Sequence, residues 1–87
     1  MWDILYSKRA VKDLEKVKTS LLYPKLKELT NIIEQNPYAN PPKFEKLVGF
    51  KGVYSRRLNI QHRLVYQTFD AELSVKVISL WGHYDDN

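Results

Sequence analysis

The chain of 87 residues contains no cysteine. That absence excludes a disulfide framework, a thiolate nucleophile and a cysteine-based zinc site. Only two histidines, His62 and His83, are available for metal or acid–base work, so neither a structural metal nor a metal cofactor is expected. With three glycines in all, there is no glycine-rich loop to cradle a phosphate. No apolar run approaches the roughly 18–20 residues that span a bilayer. The segment Met1-Trp2-Asp3-Ile4-Leu5-Tyr6-Ser7-Lys8 also lacks the basic-then-apolar layout of a signal peptide. A cytoplasmic protein with no membrane partner is the expectation. The length excludes a two-lobed enzyme as well, because one modest core is all it can bury. A single domain over residues 1–87 is therefore expected.

Hydrophobic residues make up 44% and charged residues 28%, which suits a folded globular domain rather than a disordered one. The formal net charge is +4, and its distribution says more than the total. From Lys43 to Arg63 there are six basic residues (Lys43, Lys46, Lys51, Arg56, Arg57, Arg63) against one acid, Glu45. The rest of the chain carries a net charge of −1. A basic patch confined to one quarter of the sequence favours a polyanion such as nucleic acid, although a solvated basic face without a ligand has the same composition.

The order of elements follows from periodicity and breakers. Trp2 to Tyr6 alternates and is rich in large apolar residues, as in a short strand. Ser7 can cap a helix with Ala10, Val11, Leu14 and Val17 on one face. Thr19-Ser20 breaks it. Pro24 is tolerated in the first turn of a second helix, whose apolar stripe is Leu22, Leu26, Leu29, Ile32 and Ile33; Asn36-Pro37 ends that one. After the loop Asn40-Pro41-Pro42, strands are predicted over Phe44 to Leu47, Val53 to Leu58, His62 to Phe69 and Leu73 to Trp81. Connections this short require antiparallel hairpins. The resulting class is α+β, in the order β-α-α-β-β-β(-β), with two N-terminal helices packed on one face of a mainly antiparallel sheet. The other face is left as a working surface.

Strand alternation puts Arg63, Val65 and Gln67 on one face, and His62, Leu64, Tyr66 and Thr68 on the other. In the last strand, Val75, Val77, Ser79, Trp81 and His83 share a face if the strand continues past Gly82. Parity does not say which face of one strand matches which face of its neighbour. An arginine in mid-strand either covers apolar surface with its stem or holds an anion.

The parts available for chemistry are one acid inside a basic cluster, a block of arginines and a late His83-Tyr84. A carboxylate, a histidine and arginines suffice for RNA cleavage without a metal, by attack of a 2′-hydroxyl on the adjacent phosphate. One group removes the 2′-OH proton, another protonates the leaving 5′-oxygen, and guanidinium balances the charge gathering on phosphorus. Each group also has a structural reading. Glu45 neutralises Lys43 or Lys46, Arg63 pairs with an acid across the sheet, His62 is a hydrogen-bonding structural histidine, and Tyr66 and Trp81 cover the sheet or core.

Lys43-Phe44-Glu45-Lys46-Leu47, Tyr54-Ser55-Arg56-Arg57-Leu58, Gln61-His62-Arg63-Leu64-Val65-Tyr66 and His83-Tyr84 resemble the Txe/YoeB branch of the RelE superfamily, bacterial toxins of toxin–antitoxin pairs. The resemblance extends over essentially the whole chain and carries that family's fold. It implies a ribosome-dependent endoribonuclease that enters the A site and cuts the mRNA codon there, with no cofactor. By position, it makes Glu45 the general base, Arg63 the stabiliser of the phosphorane-like transition state, His83 the general acid and Tyr84 the aromatic that orients the scissile nucleotide. It makes Arg57 a phosphate contact, with Arg56 and Lys46 adding to the RNA or ribosomal contact. It also implies a cognate antitoxin of YefM/Axe type, operator DNA bound through the antitoxin complex, and a homodimer. Positive neighbours weaken Glu45 as a base, so poor cleavage of free RNA is expected, with the ribosome supplying geometry.

Two features depart from the family pattern: Asp85-Asp86-Asn87 follow the tyrosine, and Trp81-Gly82 stand where relatives carry a basic residue and a tyrosine. Two other functions are compatible with the charge pattern. One is a ParE-like toxin that poisons DNA gyrase, against which Glu45 and His83 argue. The other is a non-catalytic basic module that binds nucleic acid.

Overall fold

A computed structural model describes residues 1–82. Strand β1 (Asp3–Tyr6) leads into helix α1 (Lys8–Lys18) and helix α2 (Tyr23–Gln35). Strands β2 (Glu45–Lys46), β3 (Val53–Arg57), β4 (Arg63–Phe69) and β5 (Ser74–Ser79) complete the order. They form one five-stranded sheet in the order β1-β5-β4-β3-β2. All neighbours are antiparallel except β1 and β5, which run parallel. The expected α+β class and element order hold, and the helices lie over one face of the sheet.

Local chemistry accounts for the helix ends. The Ser7 hydroxyl accepts from the Ala10 amide at 3.0 Å and donates to the Ile78 carbonyl at 2.8 Å. One side chain thus starts α1 and ties it to β5. Pro24 sits in the first turn of α2, where its missing N–H leaves nothing unpaired. The core joins Ala10, Val17, Leu26, Leu29 and Ile33 of the helices to Leu64, Tyr66, Val75 and Val77 of the sheet. Each such apolar side chain contributes roughly 1.5–3 kcal/mol of burial.

Two expectations about faces are corrected. Val11 does not join the core stripe of α1; it is 49% exposed. The stripe instead contains Asp13, buried because its carboxylate accepts from the Leu80 and Trp81 amides at 3.0 and 3.3 Å. The second correction concerns β5. Tyr66 pairs with Val77 but Val65 pairs with Ser79, so Ile78 is an extra residue in a bulge. Val75 and Val77 face the helices with Tyr66, whereas Ser79 falls on the opposite face with Val65. The bulge breaks the common face expected for Val75, Val77, Ser79 and Trp81. Leu80 then returns to the core.

Candidate active site

The pairing register decides which residues meet. Glu45 lies opposite Ser55, Ser55 opposite Val65, and Arg57 opposite Arg63. Partners across a ladder share a face, so Glu45, Ser55, Arg57 and Arg63 all project from the side away from the helices. Arg63 Nη1 donates to Glu45 Oε1 at 2.6 Å and to Ser55 Oγ at 3.2 Å. Among the described residues, its Nε and Nη2 make no hydrogen bond. The guanidinium is therefore aimed by a carboxylate and a hydroxyl through one nitrogen, with its other donors left for an anion. The pair borders a cleft of about 620 Å³ that Lys25, Lys43, Arg57 and Asn59 also line. Half of the Glu45 side chain stays exposed, which keeps the pair a weak contributor to stability and leaves the carboxylate within reach of a ligand.

Arg56 also lines the wall of this cleft, but its guanidinium is turned into the fold and taken by protein partners rather than left for RNA. One residue from Arg57 on a strand, it points to the opposite face and is 1% exposed. Its Nε donates to Tyr66 Oη at 3.0 Å and its Nη1 to the Pro42 carbonyl at 2.6 Å. Its Nη2 donates to the carbonyls of Pro37 and Ala39 at 3.1 and 2.9 Å. The guanidinium also lies 4.8 Å from the Phe44 ring centroid, a cation–π distance. Arg56 organises the loop that delivers Glu45 to the sheet edge. The Tyr66 hydroxyl donates in turn to the Pro37 carbonyl at 2.8 Å. Burial pushes the Tyr66 phenol above its usual value, partly offset by Arg56.

Lys46 is exposed on the edge strand β2, beside the cleft but not among its lining residues. His83 and Tyr84 lie outside the described residues. The chain just before them is described, and it comes to the same corner. The Arg63 amide donates to the Gly82 carbonyl at 3.2 Å, and the Gly82 amide donates to His62 Nδ1 at 2.7 Å. Trp81 stacks on the His62 ring at 3.9 Å between centroids, and its carbonyl accepts from Arg9. Gly82 has φ +90°, a conformation that glycine adopts without the penalty a side chain would bring.

Sequence reasoning left out three contributors. Ser55 stands two residues before Arg57, which puts both on one strand face. Lys25 comes from α2, and nothing in the linear order brings it to this cleft. Asp13 has no role in the linear reading; its position three residues after Ala10 on a buried stripe is the available signal.

Two helices on one face of an open, mostly antiparallel five-stranded sheet define the RelE-like toxin fold. The chain belongs to the YoeB-like toxins of bacterial type II toxin–antitoxin systems, whose family model matches residues 6–84. No curated protein sequence matches it. Among solved structures it resembles the YoeB/ParE toxin from Agrobacterium tumefaciens, with 26% identity, 94% of this chain and 99% of that one covered, and a TM-score of 0.82. It resembles the toxin of the YoeB-YefM complex from Staphylococcus aureus at 33% identity, covering 97% and 99% of the two chains with a TM-score of 0.78. It is also similar to a chain of the intact E. coli RelBE toxin–antitoxin complex at 27% identity, covering 95% and 98% with a TM-score of 0.80.

Proposed function

We propose that this toxin is a ribosome-dependent endoribonuclease that cleaves mRNA in the A site without a metal. The observation that carries the reading is the Glu45–Arg63–Ser55 group facing a basic cleft. Glu45 accepts the proton of a 2′-hydroxyl, and the 2′-oxygen attacks the adjacent phosphorus. Arg63, with Arg57 and the cleft lysines, stabilises the charge that collects on the phosphoryl oxygens. The bond from phosphorus to the 5′-oxygen breaks, and His83 protonates that oxygen while Tyr84 orients the nucleotide. The products are a 2′,3′-cyclic phosphate and a 5′-hydroxyl. Lys46 contributes an exposed cation to the RNA or ribosomal contact.

A cognate antitoxin is the expected partner, since the S. aureus and E. coli structures are toxin–antitoxin complexes. Its acidic segment would cover the basic face, and the complex would bind operator DNA. The test is cleavage of an mRNA programmed on bacterial ribosomes, mapped by primer extension. Wild type is expected to make a single cut in the A-site codon. Arg63→Ala should slow it by about 10²–10³-fold and His83→Ala by at least ~10²-fold. Cutting at equal rates without ribosomes would remove the ribosome dependence. No cutting, together with inhibition of gyrase, would replace the reading with the gyrase-directed one.

A further inference from the structure

Gly82 is clamped from both sides by consecutive residues at the start of β4. Its carbonyl accepts from the Arg63 amide and its amide donates to His62 Nδ1. An imidazole nitrogen accepts a hydrogen bond only when it carries no proton, so this contact requires an unprotonated Nδ1. The Trp81 ring, stacked on the face of the imidazole, keeps it from turning away. Trp81 is itself held by Asp13 through its amide and by Arg9 through its carbonyl, with the Lys16 ammonium 5.9 Å from its ring centroid.

We propose that His62 is a positioning residue: its unprotonated Nδ1 latches the chain at Gly82, beside the backbone of Arg63. The role in cleavage rests on the reading that the residue after Gly82 takes part in the reaction. The latch itself does not. Arg63 links the two, because its side chain belongs to the cleft while its backbone amide closes the other half of the clamp.

Protonation opens the latch. A proton on Nδ1 turns the acceptor into a donor that faces the Gly82 N–H. Among the described residues, the charged groups around this corner are Arg9, Asp13 and Lys16 of α1, with Glu45, Arg57 and Arg63 of the sheet. Asp13 is already taken by the Leu80 and Trp81 amides, and Glu45 by Arg63. The cations offer no acceptor. Among the described residues, His62 is the acceptor that the Gly82 amide uses.

The experiment is amide hydrogen exchange at Gly82, followed by ¹⁵N–¹H correlation spectra across a pH titration of the full chain. In wild type the Gly82 amide should be protected while the His62 ring is neutral and lose protection in step with the ring's protonation, with the Val65 and Tyr66 amides unaffected. His62→Asn keeps an acceptor oxygen that cannot gain a proton in this range, so protection should persist on acidification. His62→Leu should abolish it at every pH. In the ribosome assay, His62→Leu should lower kcat about 10- to 100-fold with KM little changed, the scale of a misplacement near 1 Å, and His62→Asn should restore most of the rate. A Gly82 amide that stays protected through ring protonation would overturn the proposal, as would one unaffected by His62→Leu. Absence of cleavage by every form, with the amide behaving as expected, would overturn the ribonuclease reading and leave the latch standing.

Discussion

Adjacent arginines on β3 make a sharp test, because Arg56 and Arg57 carry the same charge into opposite environments. Replacing Arg56 by alanine removes four hydrogen bonds from a guanidinium that is 1% exposed. The loss is not the sum of four charged hydrogen bonds. The Pro37 carbonyl keeps the Tyr66 hydroxyl as a donor, the carbonyls of Ala39 and Pro42 are only partly buried and rehydrate, and the cost of burying the cation disappears. What remains is the cavity and the unpaired share of the network, a net destabilisation of about 3 kcal/mol. For a domain of this size that lowers Tm by about 12–24 °C. Arg57→Ala removes an exposed side chain and should stay within about 0.5 kcal/mol of wild type, while weakening RNA binding. Thermal and urea denaturation followed by circular dichroism measures the first pair of values, and a salt titration of RNA affinity the second. An Arg56→Ala protein with unchanged Tm and reduced RNA affinity would refute the assignment of Arg56 to the scaffold.

Asp13→Ala leaves the Leu80 and Trp81 amides without their buried acceptor and should cost about 2 kcal/mol in urea denaturation; a loss below about 0.5 kcal/mol would show that water replaces the carboxylate. Burial raises the Tyr66 pKa above its usual 10.0, so above that pH the unfolded chain loses this proton while the folded protein keeps it. Its contribution is fully present below pH 10.0 and is lost as the pH rises through the folded-state value. Tyr66→Phe should flatten the fall in stability on the alkaline side, leaving the part due to Tyr6 and Tyr38, which are raised as well; an unchanged slope would place the effect elsewhere.

Much of the fold was legible because its signals are local. Ser7 before an apolar stripe, Pro24 inside a first turn and Asn36-Pro37 after a helix all act within a few residues of themselves, and the elements begin and end close to them. The strands were legible from alternation and from connections too short for anything but hairpins. The bulge at Ile78 was not. It depends on how β5 pairs with β4, and nothing in Ser74–Ser79 read alone marks an extra residue.

The candidate site divides in the same way. Composition and spacing were enough to locate a lone acid among cations between Lys43 and Arg63, to exclude thiolate chemistry, and to carry the resemblance to the YoeB-like toxins. They could not separate Arg56 from Arg57, since alternation states only that neighbours on a strand point to opposite faces. The helices chose between those faces by covering one of them. Arg56 was thereby sent under the loop at Pro37 to Pro42, in the buried wall of the cleft, and Arg57 to its exposed side. Register then placed Ser55 and Arg63 beside Glu45, and the folded-back end of the chain set Gly82 against His62. Residue type and local order are properties of the linear chain. Which face is buried, and which distant residue stands opposite, exist only once the sheet is paired and the helices have packed on it.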